Sequence, residues 1–133
     1  MSKRVHRTES RPIFLAIAAA LAAVTVAGVV LIAQARRDFT VVARKYAFAV
    51  TGSNTAEIHV QQNDLVHVTF STEDIPHSFT INEYRIMRRA EPGKPVSFDF
   101  RADRPGRFRF YCSLTIDEKC KDMQGFLVVD PAK

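Results

Sequence analysis

Residues 108–129 read FRFYCSLTIDEKCKDMQGFLVV, and the fold turns on how this stretch divides. In its first part Phe108 and Phe110 alternate with Arg107, Arg109 and Tyr111, the period of two expected of a strand buried on one face. At its end Gly125-Phe126-Leu127-Val128-Val129 is a short apolar run that suits a buried strand. Between the two lies a polar loop that holds the chain's two cysteines, Cys112 and Cys120, followed by Met123. Two thiols and a thioether so close together are soft donors, the kind that favour Cu(I). An imidazole to complete the set is available at His77, within Asp74-Ile75-Pro76-His77-Ser78-Phe79. Each of these residues also has a structural use. Two cysteines in one loop can close a disulfide, a Met beside a strand is commonly core filler, and a His after a Pro is commonly a turn residue. The residue types leave both uses open.

Outward from this stretch the same period recurs. Val96, Phe98 and Phe100 follow the Pro92-Gly93 turn, and Phe79 and Ile81 continue from His77. Leu65 to Ser71 sets Val66, Val68 and Phe70 on one face and His67 and Thr69 on the other. Ala56 to Val60 is a further short strand, bounded by the polar turns Thr51-Gly52-Ser53-Asn54 and Gln61-Gln62-Asn63-Asp64. Tyr46, Phe48 and Val50 alternate with small residues, and Val41 and Val42 begin the domain. Short strands at intervals of roughly eight to twelve residues, with no convincing amphipathic helix, predict an all-β sandwich. The expected core includes Val66, Val68, Phe98, Phe100, Phe108, Phe110 and Val128.

The chain has 133 residues, enough for one domain and an extension. Its net charge of +5 resides in the N-terminal part, where Lys3, Arg4, Arg7, Arg11, Arg36 and Arg37 meet a single acid, Glu9. From Asp38 onward bases and acids balance, so the basic total gives no support to nucleic-acid binding. Residues 12–35, PIFLAIAAALAAVTVAGVVLIAQA, carry no charge and are long enough as a helix to cross a hydrocarbon core of about 30 Å. The predicted organisation is a cytoplasmic basic tail at 1–11, a transmembrane anchor at 12–35 and an exported domain at 38–133. The basic tail orients the anchor, placing the protein in the inner (cytoplasmic) membrane as a single-pass protein with its C-terminal domain in the periplasm or outside. Ala33-Gln34-Ala35 has the form of a signal-peptide cleavage site, but the apolar run is longer than the roughly 7–15 residues usual for such peptides.

Residues 74–129 resemble the copper-bearing domain of cytochrome oxidase subunit II, a cupredoxin. The pieces that carry the resemblance are Asp74-Ile75-Pro76-His77-Ser78-Phe79, Pro92-Gly93-Lys94, Ala102-Asp103-Arg104-Pro105-Gly106 and Tyr111-Cys112-Ser113. The resemblance implies a cupredoxin-like Greek-key β-sandwich and a copper cofactor. The family's dinuclear copper loop reads C-x3-C-x3-H-x2-M. Laid on this chain from Cys112, its second cysteine falls on Ile116, its histidine on Cys120 and its methionine on Met123. The glutamate that offers a carbonyl in the family falls on Leu114. The frame keeps its length while two ligand types change, which leaves His77, Cys112, Cys120 and Met123 as the implied metal set. Without the second bridging cysteine an ordinary dinuclear centre is not expected.

No Ser-His-Asp spacing, paired-carboxylate motif or phosphate-binding glycine loop stands out, so there is no sign of hydrolase or nucleotide chemistry. His59, His67 and the arginines at 85, 88, 89, 101, 104, 107 and 109 read as solvated positions on strands and turns. Three functional readings follow. One is a membrane-anchored periplasmic cupredoxin that binds copper for electron transfer or Cu(I) handling, with a membrane protein complex or a small redox protein as partner. The second is a metal-free structural or accessory subunit of a respiratory or photosynthetic membrane complex, with Cys112–Cys120 as a disulfide. The third is a terminal-oxidase subunit proper, against which the altered loop argues.

Overall fold

A computed structural model describes residues 35–133, so the predicted basic tail and nearly all of the predicted anchor lie outside the described residues. Among the described residues there are nine strands and two single-turn 3-10 segments. The strands are β1 (Arg36–Arg44), β2 (Ala47–Val50), β3 (Glu57–Gln61), β4 (Leu65–Thr72), β5 (His77–Ile81), β6 (Ile86–Ala90), β7 (Val96–Arg101), β8 (Gly106–Tyr111) and β9 (Gln124–Asp130). No described helix is long and apolar enough to cross a membrane.

Two sheets form, ordered β2-β1-β4-β7 and β3-β9-β8-β5-β6. Most neighbours are antiparallel, but β1 runs parallel to β4 and β3 parallel to β9. The alternation read from the sequence becomes the two faces of these strands. In β4 every second residue, Val66, Val68 and Phe70, is buried without exposure, while His67 and Thr69 lie on the outer face. Phenylalanines from the two sheets interlock to fill the sandwich. Phe79 stacks on Phe110 at 4.7 Å within one sheet, and Phe48 meets Phe110 edge-on at 5.3 Å from the other. Phe70 and Phe98 close on Phe79 at 5.9 and 5.5 Å. Offset and edge-to-face aromatic pairs of this kind add roughly 0.5–1.5 kcal/mol each beyond simple burial.

Three expectations need correcting. Val128 is only half-buried, and Leu127 and Val129 are the β9 residues that enter the core. Gly125 sets that phase: it lies opposite Phe110 on the inner face, and its missing side chain makes room for the Phe110 ring. Phe100 and Phe108 pack against the margin of the core, each against Tyr84, and neither is fully enclosed. Strand β6 escaped the periodicity because Met87, Arg88 and Arg89 are all exposed between buried Ile86 and Ala90. It is an edge strand, and its pairing with β5 makes it a strand.

Candidate metal centre

Strands β5 and β8 bring the candidate residues to one end of the five-stranded sheet. They run antiparallel with Thr80 opposite Tyr111, so His77, which opens β5, lies beside Cys112, which follows β8. The Ser78 N–H donates to Cys112 Sγ at 3.5 Å. The chain then loops out through residues 113–119 and returns in the 3-10 turn Cys120–Asp122. The Cys112 amide donates to the Met123 carbonyl at 3.4 Å and the Met123 amide to the Cys120 carbonyl at 3.1 Å, which closes the loop on itself.

His77 Nδ1 lies 3.9 Å from Cys112 Sγ and 3.8 Å from Cys120 Sγ. These three ligand atoms lie within 4.8 Å of one another, a spread that a single metal ion can bridge. His77, Cys112, Cys120 and Met123 are all wholly buried. The two sulfurs are joined as a disulfide, with their Cα atoms 5.3 Å apart. Sequence reasoning left open whether the sulfurs meet a metal or each other; in this structure they meet each other, with the imidazole against both. Met123 is wholly buried and is tied by its backbone to Cys112 and Cys120.

Asp74 orients the histidine. Its Oδ1 lies 2.9 Å from His77 Nε2, and it accepts the Ile75 amide at 2.7 Å and, through Oδ2, the Lys45 amide at 2.6 Å. Partial burial pushes the Asp74 carboxyl upward, but the Lys45 and Ile75 amides and the histidine outweigh it and hold it down at about 2, against an ordinary 3.8. An ionised carboxylate only accepts, so in the neutral imidazole Nε2 carries the proton and the Nδ1 lone pair is turned towards the sulfurs. The sign of the pH effect follows. A carboxyl lowered in the folded state adds stability above its unfolded value, lost as pH falls from about 4 to about 2. Thermal melts should show wild type losing stability through that window. Asp74→Asn should be less stable at pH 7 and should lack that part of the acid slope; parallel pH profiles would refute the assignment.

Ser78, Thr80 and Ser113 form a part of the site that sequence reasoning missed. Their hydroxyls lie 2.9–3.3 Å apart, and Ser78 Oγ also accepts the Ser113 amide at 2.8 Å. Ser78 and Thr80 occupy the alternate positions of β5 that the strand period assigns to the outside, yet both are buried. Their complement, Ser113, lies more than thirty residues away and gave no local signal. At the position of the family's second cysteine, Ile116 is exposed, and Leu114 packs against the core. His59 and His67 lie away from the site, paired with Glu57 and Asp99.

Comparison with known proteins agrees with this fold. The model of a cupredoxin-like domain family matches residues 13–129. A nitrous-oxide reductase from Stutzerimonas stutzeri is 32% identical over 80 residues, which span 57% of this chain and 12% of that protein. The chain thus matches about an eighth of that relative's length. Among solved structures, a heme-copper terminal oxidase dimer superposes with a TM-score of 0.66 at 20% identity, covering 76% of this chain and 68% of that one. The periplasmic domain of cytochrome oxidase subunit II from Bradyrhizobium japonicum gives 0.62 at 16% identity, covering 71% and 83%.

Proposed function

Because the chain belongs to the cupredoxin-like domain family, we propose that it binds copper through His77, Cys112, Cys120 and Met123 and serves in electron transfer or Cu(I) handling. The observation that carries this reading is the position of His77 Nδ1, 3.8 and 3.9 Å from the two sulfurs, in a wholly buried site. A histidine with an Asp74-bound Nε2 and an Nδ1 free towards two sulfurs is arranged as metal-binding histidines commonly are.

The donor set fits copper in one redox form of the protein. Disulfide sulfurs are poor ligands, whereas two thiolates, an imidazole and a thioether suit Cu(I). Copper, when bound, would supply a one-electron couple. The chain's own residues do the rest. Asp74 holds the imidazole plane, Ser78 N–H steadies Cys112, and the backbone bonds of Met123 keep both cysteines in reach. A rigid sandwich below the site limits reorganisation as the metal changes charge. Copper and the disulfide are therefore mutually exclusive occupants of the same atoms, and reduction of Cys112–Cys120 gates the site.

The wider setting is also proposed. Residues 12–35 are an anchor, 1–11 a cytoplasmic tail and 38–133 an exported domain of the inner membrane, in the compartment where a disulfide persists and a reductant must be supplied. The uncharged run between two basic clusters supports this. The family relationship and the likeness to oxidase subunits support a membrane respiratory complex, or a small redox protein working with one, as partner.

One experiment tests the reading. The intact chain is extracted, its thiols are counted, and it is titrated with Cu(I) before and after anaerobic reduction. Recovery in the membrane fraction with the N-terminal residues retained is expected, with about two free thiols and about one tight Cu(I) only after reduction. A reduced chain with free thiols and no copper uptake would sink the copper reading and leave the metal-free accessory subunit. A soluble species beginning at Arg36 would replace the anchor with a signal peptide.

A further inference from the structure

Between Ser113 and Cys120 the ligand loop lies on the surface, with Thr115, Ile116, Glu118 and Lys119 exposed. The two cysteines at its ends are not exposed at all. A reductant or metal reaches such sulfurs only after a local opening, and this loop is the surface segment attached to both of them. Its apolar attachment to the rest of the fold is Leu114, which packs against the core. Among the described residues, one side-chain hydrogen bond ties residues 114–119 to the body of the domain: Tyr46 Oη donates to Asp117 Oδ2 at 3.0 Å.

Both ends of that bond are well placed to control the loop. Tyr46 lies at the tip of the β1–β2 hairpin, next to Lys45, whose amide holds Asp74. The hairpin tip therefore touches both arms of the site: the arm of His77 through Asp74, and the arm of the cysteines through Asp117. Asp117 in turn organises the loop's return, since its Oδ1 accepts the Lys119 amide at 2.9 Å and its carbonyl accepts the Cys120 amide at 3.2 Å. The Lys119 ammonium lies over the Tyr46 ring at 5.3 Å, a second contact across the same seam.

We infer that Tyr46 is a latch that holds the ligand loop shut over the cysteine pair and so sets how readily the pair is reduced. The inference rests on reading the pair as a reducible ligand set, but not on copper being its occupant. In the latched state the disulfide is shielded. When the Tyr46–Asp117 bond opens, the loop can swing out and an external dithiol can attack one sulfur. The dithiol supplies two electrons and two protons and becomes a disulfide, and the Cys112–Cys120 bond becomes two thiols. Tyr46 touches neither sulfur nor metal; it acts by position.

The test measures reduction of the intact protein in metal-free buffer by dithiothreitol, followed by alkylation of freed thiols with time. Loss of one hydrogen bond of ordinary strength should raise the reduction rate of Tyr46→Phe about fivefold, with the thermal midpoint lowered only by the few degrees that one such bond accounts for. In an Asp117→Ala background, Tyr46→Phe should add nothing further, since the bond is already gone. A Tyr46→Phe rate within twofold of wild type would overturn the latch. So would an equal acceleration in Leu127→Val, a core change far in kind from the loop, because access would then run through general loosening. The readout needs no metal, so a failed copper titration and a failed latch remain distinguishable.

Discussion

Phe110→Ala is expected to lower the unfolding free energy by about 3–5 kcal/mol, the usual range for emptying the site of a buried aromatic ring. Phe110 is wholly buried on β8 and is the ring on which both sheets converge, stacked on Phe79 and edge-on to Phe48. Its removal leaves a void between two sheets whose strands are fixed by pairing on either side, so collapse can recover little. The same ring explains a second intolerance. A Cβ on Gly125 would run into the Phe110 ring and come within 2.5 Å of the Ala56 carbonyl, which accepts the Phe126 amide at 2.9 Å and so pins β9 there. Gly125→Ala should therefore be strongly destabilising, and Phe110→Ala should not rescue it, because a backbone oxygen cannot rotate away. Chemical denaturation of the three variants checks this. Near-wild-type stability of Phe110→Ala, or rescue in the double variant, would show that the core is organised differently.

Cys120→Ala should give the largest combined effect at the site. In oxidising buffer it removes the disulfide, and with it the constraint on a short loop of the unfolded chain, so stability should fall by about 2–3 kcal/mol. Under dithiol the wild type should fall towards the variant, because both then lack the bond. The copper readout is separate. The reduced variant keeps one thiolate, His77 and Met123, and its Cu(I) affinity should drop by orders of magnitude, whereas Met123→Leu should weaken or retune binding without abolishing it, as a thioether is usually the weaker ligand. Equal copper uptake by reduced wild type and Cys120→Ala would remove Cys120 from the ligand set. A stability loss with no copper binding by either protein would leave the pair as a structural disulfide.

The strands whose local period is plain were legible without coordinates. In β4 the alternation of Val66, Val68 and Phe70 with His67 and Thr69 specifies both the strand and its inner face, because side-chain direction along a strand depends only on parity. The family resemblance likewise rests on short runs around His77 and Cys112, and it is the cupredoxin-like domain that the comparisons return. The composition of the cysteine loop pointed to soft-ligand chemistry from residue type alone. Other features depended on partners distant in the chain. The apolar run of β9 does not state its own phase; Phe110 decides it by occupying the space that Gly125 leaves open, and Val128 is turned outward as a result. Strand β6 has no period to read and exists because β5 pairs with it. The buried hydroxyls of Ser78 and Thr80 meet that of Ser113, and the loop's Asp117 meets Tyr46, 71 positions away. The choice between a disulfide and an open ligand pair belongs to the same class. Two cysteines eight residues apart allow either, and in the folded domain the backbone bonds of Met123 hold the two ends of the loop together where the sulfurs join. Sequence determines what each residue can do and which way a regular strand turns it; the meeting of groups from separate strands is a property of the packed sandwich.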